Sequence, residues 1–409
     1  MKGLNMRRRI LLMVLLPFVT VPTACKNADD KAATAPPPAA AVAPDLSAIA
    51  KSIVQRTAAV KEGDIVLVSG SPRDLELLED IVIEVQKVGC SALLSMGTER
   101  MARRSLDDVP ETYDSKEQKW GRLIQSNVDV IIDVDGTETA GLLEHVPPAR
   151  IAARALAGAP NAEIHSRRGV RTAFVGNDLY PTHERAARFG ISRDQLAAFF
   201  WGALNADFED IRANARYVQD AIASAKELQI TDPNGTSIRV GIAKKNWFVS
   251  DGVMTEESIK RKDVSKYLPA GEIYTLTDPG TAEGVIVQKK FTWGSKTIDN
   301  VTFKVAGGKL VSMTAPAGLG PAQAAYDAEV SPRKGELSVI DFGINPGIRA
   351  SAASNLRTWV PEGMVSFSFG GDLWAGGTNT APFGIGTFLA NATVKADGRV
   401  IIENGNIKR

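Results

Sequence analysis

Carboxylates rather than histidines are the side chains of this sequence that could carry out chemistry. The chain of 409 residues contains three histidines, His145, His165 and His183, and no two of them have the spacing of paired metal ligands such as His-x-x-x-His. The sequence therefore argues against a histidine-rich zinc site. It also contains no G-x-S-x-G elbow for a serine hydrolase, and no glycine-rich phosphate-binding motif follows a predicted strand.

Two glutamates stand in motifs that could position a divalent metal. Glu272 lies in the stretch LPAGEIYT, residues 268–275, which an EG pair follows. Glu336 lies in the stretch GEL, residues 335–337, which a GINP stretch follows. A metal held by carboxylates can activate a water for attack on a peptide bond, with one glutamate as the general base.

These motifs resemble those of the thermophilic metallo-aminopeptidases of the aminopeptidase T type. That family carries an LPxGEVFTAP…EG element and a GEL…GxN element, and the glutamate of each binds its dinuclear metal centre. Residues 60–64, VKEGD, are similar to the family's VKPGDxV start, and residues 232–236 are similar to a turn that opens its β domain. The resemblance covers residues 46–409.

The resemblance implies a metal-dependent aminopeptidase that removes N-terminal residues from peptides. Glu272 and Glu336 would be both the metal ligands and the catalytic residues, one of them as general base. The resemblance implies zinc, cobalt or manganese as the metal. Because members of the family pair, it also implies a homodimer.

Several ligand positions of that family are changed in this chain. Ser366 stands where the family carries the ligand histidine of a His-Ile-Ala-x-Gly element, and Gly384-Ile385-Gly386 falls where it carries a His-x-Asp pair. Leu373 or Trp374 replaces a family tyrosine. Two carboxylates without imidazole favour a hard ion held weakly, or none.

Three aspartates, Asp278, Asp341 and Asp372, could supply replacement oxygens for a metal. Their spacing does not indicate a site, and solvated loop aspartates are the alternative interpretation. Asp372 is kept as the candidate third ligand beside Glu272 and Glu336.

Aromatic and amide side chains near these motifs predict a substrate pocket lined by Tyr274, Trp374 and Asn379, with Trp293 and Phe383 as further candidates. Two functions stay open: a divergent metallo-aminopeptidase, and a non-catalytic protein that binds a peptide or another small molecule. The related ring-cleaving dioxygenases need histidine and carboxylate ligands for iron, so the missing histidines count against that chemistry equally.

The first half of the chain is predicted to consist of alternating strands and helices. Apolar runs at residues 64–70, 91–96, 128–134 and 171–176 have the character of strands buried on both faces, with amphipathic helices between them. This pattern predicts a doubly wound parallel α/β domain over residues 46–190.

Ligands of such a sheet bind beyond the carboxyl ends of its strands. The residues nominated by this rule are Ser69, Gly70, Ser71, Asp133 and Asp135. Aspartate and glycine at strand ends more often serve turns, so this prediction has no motif behind it.

The second half of the chain is predicted to be mostly β. It begins with a helical link, where Ser192 and Gln195 have the spacing of a capping box, and it extends over residues 191–409. Asp397-Gly398 between two β-branched runs predicts a hairpin. The fold class is therefore α/β, with a doubly wound N-terminal domain and a mostly β C-terminal domain.

The N-terminus predicts export and a lipid anchor. Basic residues precede a short apolar run in residues 1–25, and this segment ends with a small residue before Cys25, as at the cleavage site of bacterial lipoproteins. A plain signal peptide is the alternative. Residues 26–45, rich in Ala and Pro, would be a tether.

Location and partners follow from this leader and from the charge of the chain. We expect the periplasmic side of a bacterial cell envelope, with the lipid as the only contact with the membrane. The 48 basic and 47 acidic residues balance, so no net charge favours a polyanion and we expect no nucleic-acid partner.

Overall fold

A computed structural model describes residues 44–139, 141–242, 247–294, 296–350 and 356–409. The predicted leader, its Cys25 and most of the predicted tether lie outside the described residues. The described chain forms two compact units: residues 44–174 with 254–265, and residues 175–253 with 266–409. The first unit therefore includes a short segment that returns from the second half of the sequence.

Helices and strands alternate through residue 175, except that two helices stand between β2 and β3. In chain order these elements are α1 (Leu46–Ser52), β1 (Ile65–Gly70), α2 (Leu75–Lys87), β2 (Ser91–Met96), α3 (Glu99–Asp107), α4 (Lys119–Asn127), β3 (Val130–Val134), α5 (Pro148–Arg168) and β4 (Arg171–Val175).

The remaining elements are three helices followed mainly by strands. They are α6 (His183–Phe189), α7 (Arg193–Leu204), α8 (Phe208–Ala223), β5 (Glu227–Thr231), β6 (Ser237–Gly241), β7 (Phe248–Ser250), α9 (Glu256–Lys260), β8 (Ser265–Leu268), β9 (Glu272–Leu276), β10 (Glu283–Trp293), β11 (Lys296–Ala306), β12 (Lys309–Thr314), α10 (Gly320–Ala328), β13 (Leu337–Gly343), β14 (Val365–Gly370), β15 (Gly384–Leu389), β16 (Thr393–Ala396), β17 (Arg399–Glu403) and β18 (Asn406–Ile407).

The first sheet has the order β2-β1-β3-β4-β8, and β1 pairs in parallel with both β2 and β3. Val66 and Val68 of β1 are fully buried, as expected of a strand covered on both faces. Helix α2 buries an apolar stripe that includes Leu78 and Ile81, and Gly89, with its positive φ, follows the end of the helix. The predicted parallel α/β half is confirmed.

The C-terminal half contains two mainly antiparallel sheets. Eight strands have the order β12-β11-β10-β6-β5-β16-β17-β18, and five have the order β15-β14-β13-β9-β7. Buried side chains of both sheets and of α8 form one hydrophobic core. The predicted capping box at the start of α7 and the hairpin at Asp397-Gly398 are both present, so the mostly β C-terminal prediction is also confirmed.

Within the described part of the chain, no helix combines the length and the apolar character that crossing a membrane requires.

Candidate functional site

The five-stranded sheet has one polar face. Asp341 of β13 lies opposite Tyr274 of β9 and opposite Ser366 of β14. Directly paired residues of antiparallel strands project to the same side, and alternate residues of one strand share a side. Glu272, Tyr274, Asp341, Ser366 and Ser368 therefore share one side, which we call the polar face.

The opposite side of the same sheet is apolar. Ile273, Ile340, Phe342 and Phe367 are buried there in the main core. This packing fixes the register, because a shift of one residue would move the apolar set out of the core. The core thus determines which side chains the polar face presents.

Two carboxylates meet on the polar face. Asp341 is only 3% exposed, and burial raises the pKa of its carboxyl well above the usual value, with the nearby charge of Glu272 acting in the same direction. Asp341 Oδ1 and Ser366 Oγ, cross-strand neighbours, are both buried without a hydrogen-bond partner. Unmade hydrogen bonds of buried polar groups are costly, so this pair of oxygens calls for an explanation.

Aromatic rings stand beside these carboxylates. The ring of Tyr274 stacks on Phe248 at 5.3 Å between centroids and contacts Trp374 at 5.2 Å. Trp374 is 39% exposed, and Glu272 is half-buried. The aromatic residues predicted for a pocket, Tyr274 and Trp374, therefore lie together, and this part of the polar face reaches solvent.

Glu336 belongs to a different group of side chains. Its Oε2 accepts a hydrogen bond from Arg333 Nε at 2.8 Å and one from Asn379 Nδ2 at 3.3 Å. Asp372 Oδ1 accepts a hydrogen bond from the backbone N–H of Asn379 at 2.6 Å. Burial raises the pKa of Asp372, the charge of Arg333 lowers it, and the charge of Glu336 raises it.

Asn379, another residue predicted for the pocket, is fully buried in this second group. Its Nδ2 also donates to the carbonyl of Arg333, and its Oδ1 accepts from the N–H of Ala381. The side chain therefore holds the loop after β14 in place, and its polar atoms already have partners within the protein.

The two predicted metal ligands are not brought together. Glu272 pairs with Gly343 at one end of β13, whereas Glu336 immediately precedes the other end, seven residues before Gly343. At about 3.4 Å per residue of antiparallel strand, the Cα atoms of the two glutamates lie about 20 Å apart. One ion, or a pair of ions about 4 Å apart, cannot contact both side chains.

The family's remaining ligand positions also lack suitable donors. Gly384 and Gly386 of β15 pair with Gly370 and Ser368 of β14, and both glycines are exposed. Across the described ranges, no group of three or more His, Cys, Asp or Glu side chains could hold a metal ion. Together with the separation of Glu272 and Glu336, this donor set does not fit a dinuclear metal centre.

The residues nominated at the parallel sheet already bond with one another. Ser69 Oγ donates to Asp133 Oδ1 at 2.5 Å. Burial raises the pKa of Asp133, the hydrogen bond from Ser69 lowers it, and the charge of Asp135 raises it. Arg73 donates to the carbonyl of Asp135. These contacts identify a polar network at the strand ends and point to no particular ligand.

Asp341 is the site residue that sequence analysis undervalued. The interpretation of Asp341 as a solvated loop aspartate, like Asp278 and Asp372, is wrong, because Asp341 is buried in the middle of β13. Asp278, by contrast, is exposed. The sequence did contain a signal for this, namely the position of Asp341 inside the apolar strand LSVIDFG. An aspartate in such a strand is expected to be buried, and burial of a carboxylate has to be compensated.

Comparison with known proteins places this chain in a class of metalloproteases. A sequence profile of the thermophilic metalloprotease family, M29, matches residues 42–343. The chain therefore belongs to this family, which confirms the predicted resemblance. Membership supports a metallo-aminopeptidase-like function, with a divalent metal as the usual cofactor of the family.

Two solved structures share the fold. Wild-type AmpT from Thermus thermophilus is 14% identical with a TM-score of 0.62, and the match covers 89% of this chain and 99% of AmpT. A 2,5-dihydroxypyridine dioxygenase from Pseudomonas putida KT2440 is 13% identical with a TM-score of 0.54, and the match covers 89% of this chain and 96% of the dioxygenase. No curated protein matches this chain.

Proposed function

We propose that this protein is an exported member of the thermophilic metalloprotease family that binds the free amino group of a peptide on the polar face, without the family's pair of metals. One observation carries the proposal: Asp341 Oδ1 and Ser366 Oγ are buried, adjacent and unpartnered, beside a second carboxylate and an aromatic wall.

A ligand ammonium group matches this arrangement. It offers three N–H donors, while Asp341 Oδ1 and Ser366 Oγ are oxygens that can accept hydrogen bonds. Glu272 supplies negative charge, and an ammonium group beside Asp341 favours the ionised form of that carboxyl against the effect of burial. The rings of Tyr274 and Trp374 are near enough to each other to form a face that attracts a cation. A buried polar atom left without a partner costs about 1–3 kcal/mol, so a ligand that bonds to both oxygens recovers that cost.

Calorimetric titration of the full chain tests the proposal with two matched ligands, dialanine and N-acetyl-dialanine. We expect dialanine to bind and the acetylated dipeptide, which lacks the ammonium group, to bind at least about tenfold more weakly. Asp341→Asn should weaken dialanine binding by a similar factor. Asp327→Asn, at an exposed position of α10, is the control and should leave the affinity unchanged. Equal binding of the two dipeptides would contradict the proposal.

A metal-dependent aminopeptidase is the second candidate, favoured by the family match over residues 42–343. In that case Glu272 or Glu336 would bind a divalent ion with partners other than the family's histidines. Elemental analysis of the full chain after equilibration with zinc, cobalt or manganese distinguishes the candidates. Stoichiometric metal that Glu272→Gln or Glu336→Gln removes would favour the enzyme.

We also propose that Cys25 carries a lipid, that residues 26–45 tether the folded part of the chain, and that the protein faces the periplasm. The order of a basic segment, a short apolar run and a small residue before Cys25 supports this proposal. A homodimer is proposed from the family resemblance alone, and size-exclusion chromatography with light scattering of the full chain tests it.

A further inference from the structure

Strand β15 leaves an open space beside the polar face. Its Phe388 pairs with Ser366 of β14, and its Gly386 pairs with Ser368. Directly paired residues project to the same side, so Gly386 and Phe388 stand on the same side of the sheet as the polar face. Gly386 is exposed, and among the described residues a Cβ at this position would meet only the ring of Phe388 within 4 Å, at 3.7 Å from Cε2 and 3.8 Å from Cζ. The space lies where the family's His-x-Asp pair would stand.

Two aromatic rings border this space. The ring of Trp359 contacts that of Phe388 at 5.3 Å between centroids, with 67° between the ring planes. Trp359 is 36% exposed, and Phe388 is half-buried. The carbonyl oxygen of Trp359 also lies 2.5 Å from the point where a Cβ of Gly343 would stand, and Gly343 projects to the same side as Asp341, two residues before it. Two separate contacts therefore place Trp359 on the side of the polar face.

The open space is close to the oxygens proposed to bind an ammonium group. Ser366 pairs with Asp341 on one side and with Phe388 on the other. Gly386 is a diagonal neighbour of Ser366, and such neighbours are about 7–8 Å apart, within reach of an aromatic side chain. The first side chain of a peptide is attached to the same carbon as its ammonium group. A peptide whose ammonium group binds at Asp341 and Ser366 can therefore place its first side chain over Gly386.

We propose that Gly386, Phe388 and Trp359 form a subsite for an aromatic side chain, that of the first residue of the bound peptide. The glycine leaves room for a flat ring, and the rings of Phe388 and Trp359 offer edge and face contacts to it, the arrangements that aromatic pairs prefer. Covering the exposed part of Trp359 adds apolar burial to the binding. The inference rests on the function proposed for the polar face, because that function supplies the position of the ammonium group.

Calorimetric titration of the full chain with four dipeptides tests the subsite. The titrants are dialanine, phenylalanyl-alanine and the N-acetylated form of each. We expect phenylalanyl-alanine to bind at least about tenfold more tightly than dialanine, the factor that burial of an aromatic side chain supplies. The comparison of the two side chains tests the subsite, whereas the comparison of free with acetylated dipeptides tests recognition of the ammonium group.

Filling the open space should remove the preference for the ring. Gly386→Val should reduce the ratio of the two affinities at least about tenfold, because the new side chain occupies the place of the ligand's ring. The strand tolerates this change, because Gly386 does not have a positive φ and β-branched residues suit strands. Trp359→Ala removes one wall of the subsite and should reduce the same ratio. Gly158→Val, at a glycine of α5 where a Cβ would meet no described atom within 4 Å, is the control and should keep the ratio of the parent.

The subsite is overturned if phenylalanyl-alanine binds no more tightly than dialanine, or if Gly386→Val and Trp359→Ala both keep the ratio of the parent. Acetylated dipeptides that bind as tightly as the free ones, with a ring preference that Gly386→Val removes, would overturn the function proposed for the polar face and support the subsite. Absence of binding by all four dipeptides would overturn both.

Discussion

At the scale of single residues, Ser366 of the polar face differs from the nearby Ser338 in whether its hydroxyl makes a hydrogen bond. Ser366 is buried in β14 with an unpartnered hydroxyl, whereas Ser338 of β13 is buried with its hydroxyl donating to the carbonyl of Ser368 at 3.0 Å. The two serines lie on neighbouring strands of one sheet and differ in whether the hydrogen bond is made. That difference distinguishes a residue that serves the fold from one that is available to a ligand.

The two serines should respond in opposite ways to the same substitution. Ser366→Ala should raise the free energy of unfolding of the ligand-free protein by about 1 kcal/mol, because it removes a buried polar group that has no partner. Ser338→Ala should lower it by about 1 kcal/mol, because it removes a hydrogen bond that is made. Urea unfolding followed by tryptophan fluorescence measures both. Equal destabilisation by the two variants would show that Ser366 has a partner in solution.

At the scale of elements, an ion-pair cluster attaches α5 to the segment before α4. Arg150 and Arg154 of α5 both donate to the carboxylate of Asp114, each through Nε at 2.6 Å. The hydrogen bond from Arg150 lowers the pKa of Asp114 to about 2, and Arg154 contributes to the shift, although burial opposes it. The ionised carboxylate thus stabilises the first unit.

The contribution of this cluster to the stability of the fold should depend on pH. A carboxyl whose pKa is lower in the folded state contributes stability above the unfolded pKa of about 3.9, and loses that contribution as pH falls toward about 2. Asp114→Asn should therefore lower the urea midpoint at neutral pH, and its difference from the parent should shrink between about pH 4 and pH 2. Asp108→Asn is the control, because its ion pair with Arg104 is exposed and should contribute little. A difference that is constant with pH would contradict the assignment.

Local elements were predictable from the sequence, while their long-range arrangement was not. The capping box at Ser192 and the hairpin at Asp397-Gly398 depend on residues a few positions apart, so their chemistry can be read directly. The return of residues 254–265 to the first unit depends on contacts between distant parts of the chain. No local pattern encodes that return.

The arrangement of the candidate site also depends on contacts between distant parts of the chain. Sequence motifs predicted Glu272 and Glu336 as family ligand positions, but only the pairing of β9 with β13 shows that they lie near opposite ends of β13. Motif spacing along the chain carries no information about register, because register is set by the turns and by the apolar face. The acidic partner of Glu272 is Asp341, and their proximity follows from that register.

At the scale of the whole molecule, the proposed anchor determines where the protein is found. If Cys25 is acylated, the parent should fractionate with membranes and incorporate labelled palmitate when it is expressed with its leader in a bacterium. Cys25→Ala should lose the label and either become soluble or remain unprocessed. Cys90→Ala, at the buried free cysteine of the folded part, is the control and should keep the label. Labelling of the Cys25→Ala protein would contradict the anchor.

The central claim is that the polar face binds an amine without the family's dinuclear chemistry, and product analysis tests it most directly. The full chain is incubated with dialanine and zinc, cobalt or manganese in turn, and free alanine is quantified by mass spectrometry. We predict that dialanine is bound and recovered intact with every metal. Metal-dependent release of alanine that Glu272→Gln or Glu336→Gln abolishes would contradict the account and identify the protein as an aminopeptidase.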